Sequence, residues 1–152
     1  MNKLSGVLLL FLLIFSCACR TKTFPRSKQF DAVKDFDVVK ELILDTKVDI
    51  GNIGGVQTNI DSLKINGDIL SIFVNYSGGC MKHDFSLYTN GMYSKSLPPK
   101  VTLFLKHINN DDACRELVMN ELKFDIKQLK STGSLSIRVG NKYIMYGSNK
   151  QQ

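Results

Sequence analysis

The chain has 152 residues, 20 Lys and Arg against 14 Asp and Glu, a formal net charge of +6, and no tryptophan. The basic excess is scattered, and no stretch combines clustered arginines with stacking aromatics, so nucleic acid is excluded as the expected partner. Beyond the N-terminal region roughly 110 residues remain, enough for one domain with its own core and too few for two.

The chain begins with a short basic head, Met1-Asn2-Lys3, and an unbroken apolar run from Val7 to Phe15. That run is too short for a stable membrane span and has the form of a secretory signal, predicted over residues 1–16. Ile14-Phe15-Ser16-Cys17 follows, with an aliphatic residue three before the cysteine and a small one just before it. This resembles the lipobox of bacterial lipoproteins. The resemblance implies lipidation of Cys17 through a diacylglyceryl thioether, with palmitate-type acyl chains that together hold a membrane where one alone binds only marginally. A second reading takes Ser16-Cys17-Ala18 as a small-x-small cleavage site and starts the mature chain at Cys19. Residues 17–50 are read as a lipidated tether whose Arg20, Lys22, Arg26 and Lys28 add some attraction to anionic head groups. No acidic run follows the cysteine, which favours a cell-envelope protein facing the periplasm.

Gln29 to Asp45 is ambiguous. Phe30, Val33, Phe36, Val39, Leu42 and Ile43 recur near helical spacing, and the stretch is read as an N-terminal helix, although Asp37-Val38-Val39 and Leu42-Ile43-Leu44 would also serve strands. Gly51, Gly54 and Gly55 then mark the entry to a domain predicted over residues 51–148. Asn66-Gly67 signals a β-hairpin. With those two residues as the loop, Leu63 faces Leu70, and Leu63, Leu70, Ile72, Val74 and Tyr76 share one face. Phe85 and Leu87, then Val101, Leu103 and Leu105, repeat the inward alternation, with Pro98-Pro99 in the loop between them. Asn110-Asp111-Asp112 turns the chain, and either aspartate could cap a helical turn before the strand that carries Leu122, Phe124 and Ile126. Leu135, Ile137 and Val139 lead to a Gly140-Asn141 turn that sets Ile144 opposite Ile137. Short strands without a sustained helix predict an all-β fold, an antiparallel two-sheet β-sandwich that is immunoglobulin-like in class.

The scarce groups gather around Gly78-Gly79-Cys80-Met81-Lys82-His83. His83 and His107 each end an inward-facing row. Pairing the two strands with residue numbers summing to 190, or 188 after a slip, puts both imidazoles on one face at one end of the sheet. Cys80 and Cys114 emerge at that same end. In an oxidising compartment their expected chemistry is a disulfide. The alternative is a Cys80/His83/His107/Cys114 metal site, whose two thiolates and two imidazoles suit Zn or copper. A third reading makes Cys80 the nucleophile of a Cys-dependent hydrolase with His107 as base, but spacing identifies no orienting Asp or Asn. No phosphate-binding glycine loop, paired catalytic carboxylates or Ser-His-Asp order is visible. The pattern GGCxxHxFxL, a following LxH strand, an Asp-rich turn with a cysteine and an LxFDI segment span residues 78–126. Together they look similar to small bacterial lipoproteins of unassigned function. The expectation is a lipid-anchored extracytoplasmic β-sandwich with a non-enzymatic binding or structural role, its partner a protein or glycan, and with no cofactor unless the Zn alternative holds.

Overall fold

The computed structural model describes residues 38–48, 53–129 and 133–147. These form ten strands: β1 (Val39–Glu41), β2 (Ile43–Leu44), β3 (Asn59–Asn66), β4 (Ile69–Gly78), β5 (Asp84–Thr89), β6 (Tyr93–Ser94), β7 (Lys100–Ile108), β8 (Glu116–Asp125), β9 (Leu135–Val139) and β10 (Lys142–Tyr146). One sheet has the order β1-β8-β4-β3; the other runs β10-β9-β7-β5-β2, with β6 added to β7. The architecture is the expected two-sheet sandwich. Most ladders are antiparallel, but β1–β8, β2–β5 and β7–β9 are parallel, so both sheets are mixed.

The inward alternation of each long strand makes the core. Leu70, Ile72 and Val74 of β4 and Leu122 and Phe124 of β8 meet Phe85, Leu87, Val101, Leu103, Leu135, Ile137 and Val139 of the other sheet. These residues occur at every second position because a pleated strand sends successive side chains to opposite faces. The β3–β4 hairpin keeps the predicted face but slips by two residues. Asn66 pairs with Ile69 and Leu63 with Ile72, leaving Gly67-Asp68 as the loop. Gly67 has φ 59° and stands first in the loop, the type II′ requirement, which releases Asn66 to the strand. At the other hairpin Gly140-Asn141 is the loop and Ile144 lies opposite Ile137, as predicted.

The expected helix over residues 29–45 does not hold in its described part, and the remainder lies outside the described residues. Val39–Glu41 and Ile43–Leu44 are strands on different sheets, linked at the buried Leu42. Of the three residues at near-helical spacing, Leu42 is buried at the crossing while Val39 and Ile43 are exposed, so the spacing marks no common buried face. The first strands therefore fall within residues 17–50, the stretch assigned to the tether and helix, ahead of the predicted boundary at residue 51.

Packing of this kind predicts a sharp contrast between faces. Phe124→Ala, at a fully buried position, should cost about 3 to 5 kcal/mol in denaturant unfolding. Met119→Ala on the exposed face of β8 should stay within about 0.5 kcal/mol of the parent.

Candidate functional site

β4 ends at Gly78, and the chain turns through Gly79, Cys80 and Met81 before β5. Gly79 takes φ 112°, a conformation that suits glycine. Gly78 does not need that freedom; it is there for space. A Cβ at Gly78 would lie 2.6 Å from His83 Cε1 and 3.0 Å from Asp112 Oδ2. Across the end of the sandwich, β7 leaves through a tight turn in which Asp112 N–H donates to Asn109 C=O at 3.1 Å. Both central residues, Asn110 and Asp111, have positive φ, a type I′ turn favoured by Asn and Asp. Asn110 fastens it to the facing segment, its Nδ2 donating to Lys82 C=O at 2.7 Å and to Asp84 Oδ2 at 2.9 Å.

This turn delivers Asp112. Its Oδ2 accepts the backbone N–H groups of Cys80 and Met81, each at 3.0 Å, and its Oδ1 accepts that of Cys114 at 2.9 Å. The carboxylate thus organises the approach of both cysteines. Cys80 and Cys114 are joined in a disulfide, with Cα atoms 5.8 Å apart. The expected cap on a helical turn is replaced by this arrangement: residues 112–115 form no helix, and Asp112 binds the neighbouring strand connection as well as its own Cys114.

From Asp112 a single file of hydrogen bonds runs into the sandwich. His83 Nε2 lies 3.1 Å from Asp112 Oδ2, His83 Nδ1 lies 2.7 Å from His107 Nε2, and His107 Nδ1 lies 2.7 Å from Thr58 Oγ1. Both imidazoles are buried. Tyr76 stacks on His83 with ring centroids 4.6 Å apart and meets His107 edge-on at 4.9 Å; Phe85 stacks on the other side of His107 at 4.4 Å. The predicted same-face placement of the histidines is observed, with a different register. Phe85 pairs with His107 and Asp84 with Ile108, a sum of 192 rather than 190 or 188. The additional slip sets Phe85, not His83, opposite His107, and the imidazoles meet diagonally.

The protons of this chain follow from its acidic end. Asp112 is held well below the usual carboxylate range by the Met81 and Cys114 N–H groups foremost, with those of Cys80 and His83 adding and burial opposing. An ionised carboxylate only accepts, so His83 Nε2 donates to it. With neutral rings, His107 Nε2–H donates to His83 Nδ1 and Thr58 O–H to His107 Nδ1. Thr58 Oγ1 also lies 3.4 Å from Val56 C=O. Burial, then the neighbouring His83, holds His107 below the ordinary imidazole range.

The same geometry bears on the alternatives raised by the sequence. The disulfide removes both thiolates from the Cys80/His83/His107/Cys114 set and the nucleophile from the Cys80 hydrolase. All four ring nitrogens are engaged in hydrogen bonds. Sequence reasoning missed Asp112, Thr58 and Tyr76. Asp112 had a signal, since an Asp two residues before Cys114 can form an Asx turn. Thr58, 49 residues from His107, had none.

No protein-family model matches the sequence, and no curated protein matches it. Among solved structures, the fold is similar to a protein of unknown function, DUF1344, from Bacteroides vulgatus: TM-score 0.50 at 18% identity, over 71% of this chain and 55% of the other. It is also similar to a NigD-like immunity protein from Bacteroides caccae: TM-score 0.50 at 14% identity, over 72% of this chain and 59% of the other. The chain spans a little over half the length of these neighbours, and at this identity the likeness is one of fold.

Two outcomes follow from the site. Opening the bridge with Cys80→Ala and Cys114→Ala releases a loop of sequence separation 34, and denaturant unfolding should show a loss of about 3 to 4 kcal/mol. The depressed His107 means that the unfolded chain binds a proton before the folded one does. Stability should therefore be fully present above about pH 6.5 and fall as pH drops below it. Urea midpoints measured from pH 8 to pH 5 should show that decline in the parent and a flatter profile in His107→Gln.

Proposed function

We propose that the protein is a lipid-anchored, extracytoplasmic β-sandwich with a non-enzymatic binding or structural role in the bacterial envelope. The observation that carries this reading is the Cys80–Cys114 disulfide, a bond that persists in oxidising compartments and is rare in reducing ones. It agrees with the apolar run at Val7–Phe15 and the lipobox-like Ile14-Phe15-Ser16-Cys17. The non-enzymatic part is supported by the engagement of the most reactive groups: the cysteines are oxidised to each other, and the imidazoles are bonded at both nitrogens. One structural neighbour is named a NigD-like immunity protein, which is compatible with a non-enzymatic role.

Anchoring at Cys17 is tested by fractionation and mass spectrometry. The parent should partition with membranes and carry a diacylglyceryl mass on Cys17, while Cys17→Ser should remain unprocessed or become soluble. Membrane partition retained by Cys17→Ser but lost by Cys19→Ser would overturn the assignment.

A further inference from the structure

A groove of about 1040 Å³ runs along β7 of the six-stranded sheet. Its floor is β7 itself, from the outward-facing Thr102 and Phe104 to the edge at Leu105. One wall is the 53–58 segment, the other the turn around Met92 and Tyr93. Its charged lining consists of Lys100 and Arg138; among the described residues no Asp or Glu lines it. Both cations are set against Tyr143, Lys100 Nζ at 5.3 Å and the Arg138 guanidinium at 5.7 Å from the ring centroid. Arg138 Nε donates to Gly140 C=O at 2.8 Å, which holds the side chain in place.

The same groove exposes a gap in a β-ladder. β7 pairs with β9 only as far as Leu103, opposite Val139, because β9 turns away at Gly140. Further along that edge, Val56 N–H donates to His107 C=O at 2.9 Å. His107 therefore directs its main-chain groups away from β5, and alternation sends those of Leu105, two residues earlier, in the same direction. Leu105 thus presents an N–H and a C=O between the end of β9 and the 53–58 wall. A strand edge beside apolar walls and fixed cations is the arrangement used to bind a peptide by strand addition.

We propose that this groove takes an extended peptide segment rich in Asp or Glu, added as a short strand against Leu105, with its carboxylates on Lys100 and Arg138. The proposal rests on the binding role argued above and names the class of partner. A glycan rich in uronic acids would match the cations but could not continue the ladder through peptide N–H and C=O groups.

The test is fluorescence anisotropy on the full mature chain in detergent, with a labelled octapeptide of alternating Glu and Val. Binding is expected for this peptide and not for its Lys/Val counterpart. It should weaken about tenfold or more with Lys100→Ala plus Arg138→Ala, with Thr102→Glu on the groove floor, and with a peptide N-methylated on its central residues. Unchanged thermal unfolding of both variants establishes that their folds are intact. Absence of binding to the acidic peptide, equal binding of the basic one, indifference to N-methylation, or equal displacement by oligogalacturonate would overturn the proposal. Such a failure with Cys17-dependent membrane partition intact removes the peptide assignment alone; loss of that partition removes the anchoring on which the envelope reading rests.

Discussion

One carboxylate holds the chemically distinctive end of this molecule together. Asp112 accepts N–H groups from Cys80, Met81 and Cys114 and receives His83 Nε2 on the same oxygen that binds the first two. A carboxylate that accepts several N–H groups is favoured in its ionised form, and the ionised form in turn fixes the donors around it. The disulfide, the exit from β4 and the position of the first imidazole are thus consequences of a single group delivered by a type I′ turn. Gly78 permits the approach, because any side chain there would occupy the space of His83 and Asp112.

The two imidazoles extend this order across the sandwich. Each ring bonds at both nitrogens, and aromatic faces from Tyr76 and Phe85 exclude water from them. The file ends at Thr58, on the 53–58 segment, whose Val56 bonds the carbonyl of the same His107. Gly55, at φ +128°, lies so close that a Cβ there would come within 2.6 Å of the His107 carbonyl oxygen. The wall of the groove is therefore tied to the same residue that receives the proton chain. A polar network with every member satisfied contributes rigidity and specificity where a partly satisfied one would destabilise the core.

Much of the fold was legible because half-buried strands advertise their faces. The alternation in Leu70-Ser71-Ile72-Phe73-Val74, in Val101 to Leu105 and in Leu135 to Val139 reports the inward side directly, and it survives a register slip of two residues. That same insensitivity is why the register itself was not legible: sums of 188, 190 and 192 for β5 and β7 leave every side chain on its own face. The spacing of Val39, Leu42 and Ile43 misled because only Leu42 is buried, and the other two are exposed residues of short strands on different sheets. In the site, the scarce cysteines and histidines stood out and their common end could be inferred from parity. Asp112 and Thr58 belong to abundant residue types; beyond the local Asx turn to Cys114, the bonds of Asp112 to Cys80, Met81 and His83 and that of Thr58 to His107 depend on long-range closure that no local pattern records.

His107 is a neutral, buried link between Thr58 and His83. Nitrogen-proton NMR of the isotope-labelled imidazoles at neutral pH reads the protonation of each ring nitrogen. A single protonated nitrogen, Nε2, on His107, with a slowly exchanging proton in contact with His83, is the predicted spectrum. An imidazole at His107 that averages between tautomers and exchanges its proton freely with water would contradict it.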